Sequence, residues 1–166
     1  MSFTHLDDSG RARMVDVTAK APTVRAATAR GFVRCSPDVV ARLRDSTVPK
    51  GDVLAVARIA GIQGAKRTPD LLPLAHVIGV HGAVVDLHIV DGGVEIEATV
   101  RTADRTGVEM EALTAVSVAA LAIVDMVKGL DRATSIENVR ITAKEGGRSG
   151  SWTRPGEATT IGCAPA

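Results

Sequence analysis

Asp91-Gly92-Gly93-Val94-Glu95-Ile96-Glu97-Ala98-Thr99-Val100-Arg101 decides the fold class of this chain. After the turn, apolar residues recur at every second position, the period of a strand with one buried and one wetted face. Asp-Gly-Gly is a hairpin signal, and the run before it is again rich in Val, Ile and Leu. Residues 77–90 and 94–102 therefore read as the two arms of a hairpin. A sheet that keeps one face in water is expected to be antiparallel.

Beyond the hairpin the period changes. Residues 107–130 predict one long helix, apolar on most sides and so covered by a sheet and a second surface. A last strand is expected over 136–144. Upstream, 24–35 reads as a strand, and Ser36-Pro37-Asp38 is a helix start with Ser36 as N-cap and Pro37 in the first turn. That helix should end before Val48-Pro49. A second helix is expected over 52–67 with Gly61 and Gly64 inside it. Each glycine costs about 1 kcal/mol against alanine, so close packing or ligand approach is expected there. Thr68-Pro69-Asp70 breaks this helix, and a short apolar segment, 71–76, follows. Residues 13–18, R-M-V-D-V-T, alternate and suggest one more strand. Strands and helices mix without strict alternation, so the expected class is α+β. Residues 1–152 read as one catalytic domain with a flexible N-terminal segment, and 153–166 as a disordered tail.

The 166 residues carry 20 Lys+Arg against 19 Asp+Glu, a formal net charge of +1, with 45% hydrophobic and only 2% aromatic content. The core must be built from Val, Ala, Leu and Ile. Single-strand nucleic-acid readers need aromatic stacking platforms, and DNA-coating or membrane-surface proteins need net basic charge; both classes are disfavoured. Cys35 and Cys163 lie far apart, which points away from a disulfide or zinc framework and towards a reducing cytoplasm. The N-terminus has no apolar signal core, and the apolar run 113–124 falls short of the roughly 20 residues that span a bilayer.

Several charged groups stand out. Lys50 precedes a helix start, and Lys66 with Arg67 lies at the other end of that helix; they read either as dipole-compatible surface cations or as a phosphate-binding surface. Gly61-Ile62-Gln63-Gly64 matches the G-x-x-G of RNA-binding KH domains at two positions only. His76 follows a Pro-containing apolar segment and reads as a hydrogen-bonder or a site residue. No histidine pair has metal-ligand spacing. Glu109 and Glu111 fall in the first turn of the long helix. Asp125 and Lys128 share a helix face inside the apolar stretch LAIVDMVKGL, which suggests a buried pair and acid–base chemistry. Glu111 and Asp125 are 14 residues apart, about 21 Å along a helix. If both act, either the ligand is long or the site joins two subunits.

The runs THLDDSGRARMVDVTAK (4–20), KGDVLAVARIAGIQGAKRTPDLLPLAH (50–76), RTGVEMEALTAVSVAALAIVDMVKGLDR (105–132) and EGGRSGSW (145–152) together resemble the cyclic pyranopterin monophosphate synthase family, molybdenum cofactor biosynthesis protein C. The resemblance covers roughly residues 4–152. It implies a ferredoxin-like α+β fold and a homohexamer built as a trimer of dimers, with sites at subunit interfaces. It also implies a lyase that turns a GTP-derived cyclised triphosphate into cyclic pyranopterin monophosphate and diphosphate; no redox cofactor is expected, and the sequence offers no dedicated metal cage. By the same resemblance Asp125 and Lys128 form the acid–base pair, and Lys50 and His76 are further catalytic positions. Leu74, Ala75, His76, Met110 and Glu111 bind substrate, and Glu109, Lys66, Arg67 and Lys144 line the site. Ala75 and Val77 stand where the family usually has Cys and Pro, and Val124 where it often has Tyr. A catalytically silent paralogue acting as an assembly partner would be expected to lose Asp125 or Lys128, and both are present.

Overall fold

The computed structural model describes residue 7 and residues 9–157. Strands β1 (Thr23–Arg34), β2 (Gly82–Val90), β3 (Gly93–Asp104), β4 (Ser135–Glu145) and the short β5 (Trp152–Thr153) form one antiparallel sheet in the order β2-β3-β1-β4-β5. Helices α1 (Pro37–Arg44), α2 (Val53–Lys66) and α3 (Thr68–Leu71) join β1 to β2, and α4 (Glu109–Val127) joins β3 to β4. Apart from β5 the path is β-α-β-β-α-β, two interleaved βαβ units. The expected α+β class holds.

Local chemistry explains most boundaries. Ser36 caps α1 by accepting from the Val39 N–H, and Asp52 caps α2 by accepting from the Ala55 N–H at 3.0 Å. The hairpin forms as read, with Val90 opposite Gly93. Its first arm begins later than expected, at Gly82, because side chains replace the ladder before it. The Thr102 hydroxyl donates to the Gly79 carbonyl at 2.6 Å, and the Gly79 N–H donates to Asp104 at 3.3 Å. Residues 13–18 form no strand. The Asp16 carboxylate accepts from the Thr18 N–H at 2.9 Å and the Lys20 N–H closes a turn on Val17, a local pairing that competes with a ladder. Residues 1–6, 8 and 158–166, covering most of the segments expected to be flexible, lie outside the described residues. After β5 the chain turns back onto the sheet, where Arg154 donates to the Ile141 carbonyl.

Alternation in β3 holds residue by residue: Val94, Ile96, Ala98 and Val100 are buried, while Glu95 is exposed and Glu97, Thr99 and Arg101 are half-buried. The buried side meets α4 through Ala112, Ala115, Val116, Ala119, Ala120, Ile123 and Val127, together with Ala27, Ala29 and Val33 of β1. A core of small residues lets backbones approach closely. A Cβ on Gly61 would lie 2.9 Å from the Ala115 carbonyl, and one on Gly64 would lie 2.9 Å from Val118. Close packing of α2 on α4 therefore explains both glycines. They lie within a helix, so the KH-type loop reading is overturned. By length and composition α4 could cross a bilayer, but half of it is buried inside this fold, as in a core helix.

No helix among the described residues covers the opposite face of the sheet. Across it run Asp86, Glu97, Arg30 and Arg140 in one row, and Glu157 comes in from beyond β5. Arg30 donates to Glu97 at 2.5 Å and to Glu157 at 3.0 Å, and Arg140 Nε donates to Glu157 at 2.7 Å. One carboxylate thus bridges guanidiniums on neighbouring strands.

Candidate active site

Most of the predicted site residues gather at the two ends of α4. At its N-terminal end a groove of about 320 Å³ is lined by Leu74, Ala75, His76, Glu109, Met110 and Glu111. The chain reaches this place because Pro69 starts the single turn of α3 and the Ala75 N–H then bonds the Leu72 carbonyl at 3.0 Å. That turn swings His76 against the first turn of α4. Glu111 is 2% exposed, and its Oε2 has no hydrogen-bond partner. Burial pushes its carboxyl above the usual glutamate range and neighbouring Glu109 adds to this, while its own backbone N–H and His76 oppose it. An unpartnered buried carboxyl is costly to the fold, which makes Glu111 a candidate ligand contact.

At the C-terminal end stand Asp125, Lys128 and Lys50. Lys128 Nζ lies 2.6 Å from one carboxylate oxygen of Asp125 and Lys50 Nζ 3.2 Å from the other; Lys50 also donates to the Asp125 carbonyl at 2.7 Å. These contacts, first with Lys128 and then with Lys50, hold the Asp125 carboxyl below the usual aspartate range. Here the sequence reading needs correction. Asp125 and Lys128 are not sunk in apolar surroundings: their side chains are 58% and 59% exposed. Solvent-exposed positions Met110, Leu121, Asp125 and Lys128 recur along one seam of α4, with half-buried Leu113, Ser117 and Val124 between them. The apolar neighbours that suggested burial belong to the other faces.

Lys144 occupies a third place. On β4 it donates to the Ser149 hydroxyl and, at 3.4 Å, to the Gly150 carbonyl. Beside that loop lies a cleft lined by Lys20, Thr23, Arg25, Gly147, Arg148 and Ser149. Gly147 takes φ +71°, a left-handed backbone conformation that favours glycine, and this turn brings the loop against the Arg25 guanidinium. Lys20 lines both this cleft and the His76 groove, which makes the two neighbours. Lys66 and Arg67 are exposed at the C-terminal end of α2. That is the end where Gly64 meets the Thr114 carbonyl in the first half of α4.

Sequence reasoning missed Val15, Val17, Lys20, Arg25 and Arg148. Arg25 meets the Asp104 and Arg105 carbonyls, each at 3.1 Å, across 79 and 80 residues, a closeness without a local signal. The clustering of Arg148 with two glycines was the one clue in the sequence. Cys35, by contrast, is an inert core group: burial raises its thiol to about 11.

Titratable groups at both ends of one helix, and a cationic cleft beside one of them, make this α+β chain a candidate for acid–base chemistry on an anionic ligand. The matching family agrees: residues 14–147 match the MoaC family. The chain is 62% identical over 152 residues to the cyclic pyranopterin monophosphate synthase of Streptomyces coelicolor, covering 92% of this chain and 89% of that protein. It is 57% identical over 156 residues to the synthase of a Nocardioides species, covering 92% and 96%. With that of Geobacter sulfurreducens the identity is 53% over 156 residues, covering 93% and 98%. This chain belongs to the MoaC family.

Proposed function

We propose that this protein is a lyase of molybdenum cofactor biosynthesis that converts 3′,8-cyclo-7,8-dihydroguanosine 5′-triphosphate to cyclic pyranopterin monophosphate and diphosphate. The similarity to synthases of that name at 53–62% identity supports the reaction. The observation that carries the site reading is the carboxylate of Asp125 held between two ammonium groups. Opening a purine-derived ring and closing a cyclic phosphate requires protons to leave and arrive at defined atoms. Lys128 and Lys50 can give them, and Asp125 can take them or hold the ammonium groups in line. The buried carboxyl of Glu111 and the imidazole of His76 suit the polar edge of a purine or pterin. Lys20, Arg25, Arg148 and Lys144 suit its phosphates, and Lys66 and Arg67 lie towards the same end.

One copy of the chain cannot bring these groups onto one small molecule. Glu111 and Asp125 stand about 21 Å apart along α4. The seam that joins them exposes Met110 at 43% and Leu121 at 58%, and α2 exposes Val56 and Ile59. A second copy laid antiparallel on this seam, with the twofold axis level with residue 118, sets the Asp125 end of one helix beside the Glu111 end of the other. The complete site is then shared between subunits, and three such dimers make the homohexamer implied by the family resemblance. A cytoplasmic enzyme with no metal or redox cofactor fits this reading.

The test is an assay of the purified full chain with the cyclised GTP intermediate, following diphosphate release. Turnover is expected. Asp125→Asn and His76→Ala subunits, each inactive alone, should regain activity when co-assembled. A stable monomer that turns over substrate would exclude the shared site.

A further inference from the structure

We infer that the carbonyl oxygen of Val15 is a positioning group for His76, and that residues 13–17 are a wall of the active site. The inference rests on the proposed function for what the imidazole does, not for how it is held. Val15 O lies 2.6 Å from His76 Nε2, joining residues 61 apart in sequence. A carbonyl oxygen has no proton to give, so the proton of this bond sits on Nε2. The neutral ring then carries its lone pair on Nδ1. A backbone group with no acid–base chemistry of its own thus decides which imidazole nitrogen accepts a proton and which is already occupied.

The segment is built to present that carbonyl. Val15 and Val17 are half-buried and line the groove with His76, whereas Arg13, Met14 and Asp16 are exposed. Three bonds fix the C-terminal end of this strap. Asp16 accepts from the Thr18 N–H at 2.9 Å, the Lys20 N–H donates to the Val17 carbonyl at 3.0 Å, and the Lys20 carbonyl accepts from Arg105 Nε at 2.9 Å. The alternation at 13–18 that resembles a strand serves a different end. It turns two valines inward so that the peptide between them and the ring keeps one register. Val15 touches the imidazole and not the reacting atoms, so its role is to orient.

Imidazole-optimised ¹H–¹⁵N spectra of the full chain, recorded without substrate, test this. The expected result is a His76 Nε2–H signal protected from exchange with water and absent in His76→Gln. Replacing both Val15 and Val17 by glycine leaves every carbonyl in the chain but removes the seat of the strap. The protected signal should then vanish and kcat should fall by up to about 10²-fold, the scale of a misplaced catalytic group. Val15→Ile, which keeps the seat, should retain the signal. A ring whose proton sits on Nδ1 and not on Nε2, or a wild-type ring without a protected Nε2–H, overturns the inference. So does a folded double-glycine variant that loses the signal at unchanged kcat. If that variant does not fold, the wild-type spectrum alone decides. A protected Nε2–H in a protein that fails to turn over the intermediate supports the positioning and counts against the proposed function.

Discussion

Glu111 and Asp125 sit on the same helix, yet their carboxyls live in opposite surroundings. Glu111 is buried beside the groove that Leu74, Met110 and the valines of the 13–17 strap also line, with one oxygen unpartnered. Asp125 lies in water with an ammonium group on each side. Desolvation favours the neutral acid at the first end, and neighbouring cations favour the anion at the second. One helix therefore presents a group inclined to keep its proton and a group inclined to lose it. An enzyme that must both donate and accept protons can use that separation, provided that two copies bring the ends together.

The largest effect should come from neutralising the exposed end. Asp125→Asn is expected to lower kcat by about 10²–10⁴, the usual cost of a lost acid–base group. Its thermal unfolding midpoint should barely move, because exposed ion pairs contribute little to stability. Near-normal kcat in the folded variant would remove Asp125 from the mechanism. Lys128→Arg keeps the charge but not a titratable ammonium, and a drop of about tenfold or more is expected. A fully active Lys128→Arg enzyme would mean that Lys128 supplies charge alone.

Next in size is the spacer between the ends. Gly61→Ala places a methyl group against the Ala115 carbonyl. Overpacking of this kind costs about 1–3 kcal/mol, or about 2–4 °C of midpoint per kcal/mol in a chain of this size. Calorimetry checks it, and an unchanged midpoint would show that α2 is free to shift.

The smallest effect is a difference in pH dependence. Folding favours the protonated form of Glu111, so its part in stability is best below the ordinary glutamate range. That part declines as pH rises through the raised value. Glu111→Gln should abolish the decline, and its stability relative to wild type should grow with pH across that window. Asp125 runs the other way. Its contribution is present above the ordinary aspartate range and is lost as pH falls through its lowered value. Denaturant midpoints of both variants across pH would show whether the two slopes oppose each other.

Much of the fold is legible in the sequence. The β3 alternation, the Asp-Gly turn and the Ser36 cap are short-range signals, and each forms where the sequence puts it. Asp125 and Lys128 are identifiable from their charges, but their exposure is not. The apolar letters around them record composition, whereas exposure depends on which side of α4 faces the sheet, and that is set by β1 and β3. The strap at 13–17 imitates a strand for a similar reason. Period two says that alternate side chains are buried, not that a neighbouring strand buries them. Arg25 and Lys20 carry no local signal at all, because the loop that pairs them with Arg148 lies more than a hundred residues away.

The bridge made by Glu157 has a practical bearing on how the chain can be shortened. A cut after Trp152 looks harmless on sequence grounds, since Gly, Pro, Thr and Ala dominate residues 153–166. It would nevertheless strip the shared counter-charge from Arg30 and Arg140, which face each other across neighbouring strands. A protein trimmed there should become salt-dependent, firmer in concentrated buffer and weaker in dilute buffer, as two like charges lose their mediator. The same cut made beyond Glu157 should leave no such signature.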